Sequence, residues 1–255
     1  MNLDVSGAKV FYTFPFDVPF LGKLELSETI VVSWIVMLII TGFCIWLTHD
    51  LKVKDISKRQ ALAEYLVEMA DNFVVGNMGE KFRYFIPFVA ALFVTSVVSN
   101  LISLVGFRSP TADLATEAAW AVVVFILITK QKIKTNGFGG YLKDFTTPIA
   151  IMTPFNILSE LATPISMACR HFGNILSGVV INGLIYGALA VASSALFGLL
   201  PGVIGDVLSC IPFLDVGIPA VLSVYFDWFS GFMQAFIFAM LTVMYIANAA
   251  ETEEG

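Results

Sequence analysis

Long stretches of this chain carry no charged side chain over a length that crosses a lipid bilayer: Ile30 to Thr48, Tyr84 to Phe107 and Trp228 to Ala250. A helix rises about 1.5 Å per residue, so roughly 20 mostly apolar residues cover the ~30 Å of bilayer hydrocarbon. Backbone polar groups in that medium must be satisfied within the chain, which makes helices the expected form of such runs. Composition agrees. Hydrophobic residues make up 58% of the chain and charged residues 13%, against about 25% charged in an average soluble domain. The expected fold class is all-α, a polytopic membrane protein of a single domain.

Charge placement orders the spans. Lys52, Lys54, Lys58, Arg59, Lys81 and Arg83 lie between the first two apolar runs, and Lys130, Lys132, Lys134 and Lys143 form a second cluster. The excess of Lys and Arg in cytoplasmic loops puts both regions inside. The N-terminus (1–28) and the link around Arg108 then fall outside, and the C-terminus falls in the cytoplasm. Five crossings fit this alternation: 29–48, 84–106, 112–131, 148–198 and 217–249. The third is the weakest, because only Ala118 to Thr129 is free of charge, and packing against the second span would support it. No basic stretch followed by an apolar core and a cleavage site precedes Leu26, so no cleaved signal peptide is expected. The net charge of -6 comes mostly from acids in termini and loops and says little about partners.

Two segments depart from the simple pattern. From 57 to 75, Leu62, Leu66, Met69 and Phe73 recur at helical spacing while Glu64, Glu68 and Asp71 take other faces. That is an amphipathic helix suited to the cytoplasmic membrane surface, to a partner helix, or to both. The segment 148–198 would extend roughly 75 Å as one helix. It must tilt steeply, lie in the membrane plane or break, with Pro148, Pro154 and Pro164 as candidate kinks. Gly198 to Asp215 reads as the turn into the last helix. Cys44, Cys169 and Cys210 have no metal-ligand spacing and are expected to act as small buried hydrophobes. No metal site or cofactor is expected.

Arg170 is a lone basic charge inside the fourth span. A charge at the centre of a membrane helix costs from about 2.5 to above 10 kcal/mol, so it faces a cavity or a partner. Its guanidinium stays protonated at physiological pH, which makes its use electrostatic. At about 100° per residue, Thr163, Ser166, Asn174 and Ser177 fall near the same face. On the last helix Ser223, Asp227, Ser230 and Gln234 are spaced by four, three and four, again on one side. These two polar stripes suggest a shared ion-handling surface. The plain alternative is that the small polar side chains only hydrogen-bond the helices together. Glu160 is either an interfacial carboxylate or part of an ion path. His171 points about 100° away from Arg170, which favours a packing or lipid-facing role.

The stretch Glu160-Leu-Ala-Thr-Pro-Ile-Ser-Met-Ala-Cys-Arg170-His-Phe-Gly-Asn174-Ile-Leu-Ser-Gly178 resembles the signature of the a subunit of F-type ATP synthases. Gln234-Ala-Phe-Ile-Phe238 with Leu241-Thr-Val-Met-Tyr245 is similar to that family's last helix, and Ser99-Asn-Leu-Ile-Ser103 to its Asn-Leu stretch. The resemblance covers nearly the whole chain after Leu26. It implies a non-catalytic stator subunit in a bacterial inner membrane, pressed against a rotating ring of c-type proteolipids and held by b-type stalk subunits. No nucleic-acid partner is implied. Arg170 matches the family's essential arginine, Asn174 and Gln234 its polar partners, and Glu160 and Asp227 acidic positions on the access paths. Ser166, Ser177, Ser223 and Ser230 would complete the polar lining. The ion, H+ or Na+, would enter by one half-channel, ride the ring and leave by the other, driving ATP synthesis or being pumped by hydrolysis. One departure stands out. Nine residues after Arg170 many bacterial relatives carry glutamate and mitochondrial ones histidine, where this chain has Val179. Asp227 would then be the main ionisable group on that path.

Two rival functions fit less well. A secondary transporter using Arg170 to hold an anionic substrate predicts repeated halves with matching broken helices, and no repeat is visible. An intramembrane enzyme needs a nucleophile with a base or a metal cluster, and the chain has only two histidines, His49 and His171, with no HExxH-like motif.

Overall fold

The computed structural model describes residues 9–18, 22–147, 149–198 and 224–250. An antiparallel hairpin, β1 (Val10–Val18) and β2 (Gly22–Ser27), precedes the helices, with Tyr12 opposite Leu26 and Thr13 opposite Glu25. Then come α1 (Glu28–Thr48), α2 (Lys58–Met78), α3 (Ile86–Leu101), α4 (Leu114–Asp144), α5 (Thr153–Gly198) and α6 (Gly231–Asn248). Single 3-10 turns flank α3, and a π-helical segment, Val224–Ser230, leads into α6. Among the described residues five helices are long and apolar enough to cross a membrane, α2 not among them. The chain is a multi-pass, all-α membrane protein with a small hairpin at its front.

The core sits where α2, α3, α4, α5 and α6 meet. Val74 and Met78 of α2, Val89 of α3, Val124 and Ile128 of α4, Met167 and Ala168 of α5, and Phe238 and Val243 of α6 are buried there. By contrast α1 lies outside this core: Val32 and Val36 pack on Ile102 in a small cluster of their own, Thr29 donates to Asp113 and Trp46 lies under the Arg59 guanidinium of α2. Trp34, Leu38 and Ile45 stand exposed on its other sides, a surface that lipid tails cover without cost and water would not. Ser57 caps α2 by accepting from the Gln60 backbone N–H at 3.2 Å, which removes one orphan donor of the first turn. Of the expected apolar stripe of α2, Leu62, Leu66 and Met69 are exposed, while Phe73 packs against the core beside Phe236.

Several boundaries differ from expectation. The lysine cluster suggested an end near residue 131, yet α4 continues to Asp144 and packs chiefly on α5, not α3. Lysines mark where hydrocarbon stops, and a helix can continue past that edge into water. Gly137 interrupts α4 with φ +71°, a left-handed conformation that glycine adopts freely. In α5 the helix runs unbroken for 46 residues with Pro164 inside it. Pro154 lies in the first turn, where its missing N–H is not needed, and Pro148 and the expected turn at 198–215 lie outside the described residues. Cys44 and Cys169 are exposed on the chain surface and not in the core; Cys210 lies outside the described residues.

Candidate functional site

Around α5 the sequence separates two environments. Met167, Ala168 and His171 are buried against neighbouring helices, while Ser166, Arg170, Asn174 and Ser177 are exposed. At about 100° per residue these sets take adjacent faces of one helix, their centres about 110° apart. Among the described residues Arg170 makes no ion pair. Its charge therefore lies on an open face of a membrane-spanning helix.

One turn further along, the two polar stripes meet. Asn174 Nδ2 donates to Gln234 Oε1 at 3.1 Å and to Ser230 Oγ at 3.4 Å, joining α5 to α6. Gln234 is almost fully buried. Behind it, Asn100 Nδ2 donates to the Gly231 carbonyl at 2.8 Å and Thr111 Oγ1 donates to Asn100 Oδ1 at 2.6 Å. Ser109 Oγ donates to the Ser99 carbonyl at 2.6 Å. A Cβ built on Gly231 would lie 2.9 Å from Asn100 Cβ, so glycine permits the close approach of α6 to α3. These groups border a cavity of about 140 Å³ lined by Asn100, Ser103, Arg108, Ser109, Asn174 and Ser230 among others. Its size and polar lining suit ordered water, which needs roughly 10 to 15 Å³ of such space per molecule and two to four polar partners.

A second cavity, of about 170 Å³, lies toward the N-terminal end of α5. Lys132, Glu160, Thr163, Tyr245 and Asn248 line it with Phe125 and Ile128. Lys132 Nζ donates to Glu160 Oε2 at 2.6 Å, so Glu160 is neither freely solvated nor alone. The two cavities touch α5 at Thr163 and Asn174, about 16 Å apart along the helix axis. Arg170 falls between them.

A third polar feature escaped the sequence. His171 Nδ1 lies 2.9 Å from Glu117 Oε2, and both side chains are wholly buried. The imidazole sits beside Trp120 and Phe238, at ring-centroid distances of 6.4 and 5.5 Å. Glu117 was visible only as the charge that shortened the third apolar window. Its presence inside α4 is as costly as that of Arg170, and the same reasoning could have singled it out.

The remaining expected residues are less connected. Ser177 Oγ bonds the Gly173 carbonyl and Thr163 Oγ1 the Ser159 carbonyl, both within α5, and Ser166 is exposed. Ser223 lies outside the described residues. Asp227 belongs to the π-helical segment, while its side chain, like that of Val179, lies outside what the structure describes.

Comparison with known proteins gives a consistent result. Residues 30–247 match the family model described as ATP synthase A chain. The chain is 34% identical over 236 residues to ATP synthase subunit a 1 of Chlorobaculum parvum, covering 91% of this chain and 92% of that protein. It is 30% identical to ATP synthase subunit a of Desulforamulus reducens, covering 91% and 83%. A protein of Propionigenium modestum named ATP synthase subunit a, sodium ion specific, is 28% identical, covering 96% and 86%.

Proposed function

Because the chain belongs to the ATP synthase A chain family, we propose that it is the ion-translocating stator of the membrane sector, facing a rotating ring of carboxylate-bearing c-type proteolipids and held by b-type stalk subunits. It carries no ATP chemistry of its own. The observation that carries this reading is Arg170, exposed and without an ion-pair partner among the described residues, standing on α5 between two separate polar cavities.

The electrostatics follow from that placement. A guanidinium within about 4 to 6 Å of a carboxylate lowers its pKa by about 1 to 3 units, so a ring carboxylate arriving at Arg170 releases its H+ or Na+. The same fixed charge repels a cation that would pass directly from one cavity to the other. The ion then has one route, around the ring. With the lysine-rich segments inside, the cavity bordered by Arg108 and Asn174 is the outer half-channel, and that bordered by Lys132 and Glu160 is the cytoplasmic one. The N-terminus lies outside and the C-terminus in the cytoplasm.

Asn174 and Gln234 hold the seam beside Arg170 polar and fixed. Glu160 serves the cytoplasmic path. Asp227 supplies the ionisable group on the outer path, where Val179 supplies none. The test is Arg170→Ala in the assembled complex in liposomes: ATP-driven ion pumping is lost while the subunit remains in the complex. Pumping at the parental rate would overturn the reading. ATP hydrolysis with and without Na+ separates the two ions, stimulation by Na+ assigning that ion.

A further inference from the structure

We infer that Glu117 and His171 form a register lock, fixing the rotation of α5 about its own axis and hence the direction in which Arg170 points. The inference rests on the stator reading and adds positioning residues to it. The two side chains approach to 2.9 Å with neither exposed, a contact made by charge rather than by hydrogen-bond geometry, since none of the four polar atoms of Glu117 and His171 has a hydrogen-bond partner among the described residues. Apolar side chains of similar volume would avoid that desolvation, so stability does not account for the pair. Direction does. Beside the pair, Met167 and Ala168 meet the shared core through apolar, non-directional contacts that a turned helix would exchange for similar ones. About three turns nearer the start of α5, the Lys132–Glu160 pair joins the same two helices and shares in holding its rotation. A polar pair buried among apolar groups has one arrangement in which its two groups meet, and setting register is the best-attested use of such pairs. His171 directly follows Arg170, about 100° around the helix. Turning α5 by one position to release His171 would therefore move the guanidinium off the exposed face.

The test uses the assembled complex with Cys44, Cys169 and Cys210 replaced by serine and with Ser177→Cys, on the exposed side of α5, cross-linked to cysteines placed along the outer ring helix. In this background Glu117→Leu combined with His171→Leu keeps the core apolar and the subunit assembled. The lock predicts that cross-linking and ATP-driven pumping both fall, pumping by about tenfold or more, since misplacing a reacting group by about an ångström is enough for such losses. The exchanged pair, Glu117→His with His171→Glu, restores both, and Glu117→Gln, which can still bond the imidazole, retains both. Undiminished pumping and cross-linking in the double leucine variant would overturn the lock. So would failure of the exchanged pair to restore them, or loss of pumping in Glu117→Gln with the cross-link intact, which would make the pair an ion relay. No cross-link in the parental Ser177→Cys complex would overturn the ring-facing stator reading itself.

Discussion

Asn174 on α5 donates from Nδ2 to Gln234 Oε1 on α6 across 3.1 Å, so the exposed polar face carrying Arg170 is tied to a nearly buried amide on the opposing helix. Hydrogen bonds between membrane helices contribute about 0.6 kcal/mol on average. A double-mutant cycle of Asn174→Leu and Gln234→Leu, read as thermal stability in nanodiscs, is expected to give a coupling of that order. Gln234→Leu should lower ATP-driven pumping with the complex intact. Independent, additive effects of the two changes would show that the bond contributes nothing.

The two acids on the proposed paths should respond alike in transport and differently in stability. Glu160→Gln breaks the contact with Lys132, yet that lysine is part-exposed and can extend its stem to the polar boundary. A stability change within about 1 kcal/mol is expected, together with slower pumping. Asp227→Asn removes the ionisable group proposed to stand in for the one absent at Val179, and pumping should fall. A wild-type rate in either variant removes that acid from the path.

Gly231→Ala places a methyl group 2.9 Å from Asn100 Cβ. Overpacking of this kind costs about 1 to 3 kcal/mol, and the Asn100 bond to the Gly231 carbonyl would lengthen with it. The melting temperature in detergent should drop. Gly76→Ala in α2, where a Cβ meets nothing within 4 Å, should instead stabilise by about 0.5 to 1 kcal/mol.

Outside the membrane, Arg83 donates from Nε and Nη2 to the two oxygens of Asp71, at 2.8 and 2.9 Å. That hydrogen-bonded clamp holds the Asp71 carboxyl below its ordinary 3.8. A carboxyl whose folded value is depressed favours the native state above its unfolded value, and loses that contribution as pH falls through the folded one. Carbon chemical shifts should therefore place the Asp71 titration below that of a free aspartate. Asp71→Asn should abolish the acid-dependent part of protease resistance between α2 and α3 and lower the neutral-pH resistance by that same amount, which is small because the contact is solvent-screened.

The spans were legible because hydrocarbon imposes a length and a composition on anything that crosses it. Arg170 was legible for the same reason, as a charge too costly to be accidental. The pairing of Asn174 with Gln234 was half visible: periodicity put each on a polar stripe, but only packing shows the stripes touching. His171 with Glu117 was invisible, since the two lie on different helices and no local period reports on so distant a contact. Charge marks the edge of the lipid and not the end of a helix, so the crossing expected at 112–131 left open how far α4 continues, which is to Asp144. Pro164 was one of three candidate kinks, and helix continues on both sides of it.

The 46 residues of α5 extend about 69 Å. Laid obliquely through a ~30 Å core, such a helix covers about 60 Å in the membrane plane, or about six helix spacings of ~10 Å. A neighbour built of upright helices would meet it as a pinion meets a rail, with following teeth already alongside while one passes the arginine. From Gly178 to Ala195 the rail mixes glycine, alanine and serine with exposed Ile181, Leu184 and Val191. Bulk added along that stretch should act as mechanical drag, slowing turnover without uncoupling it.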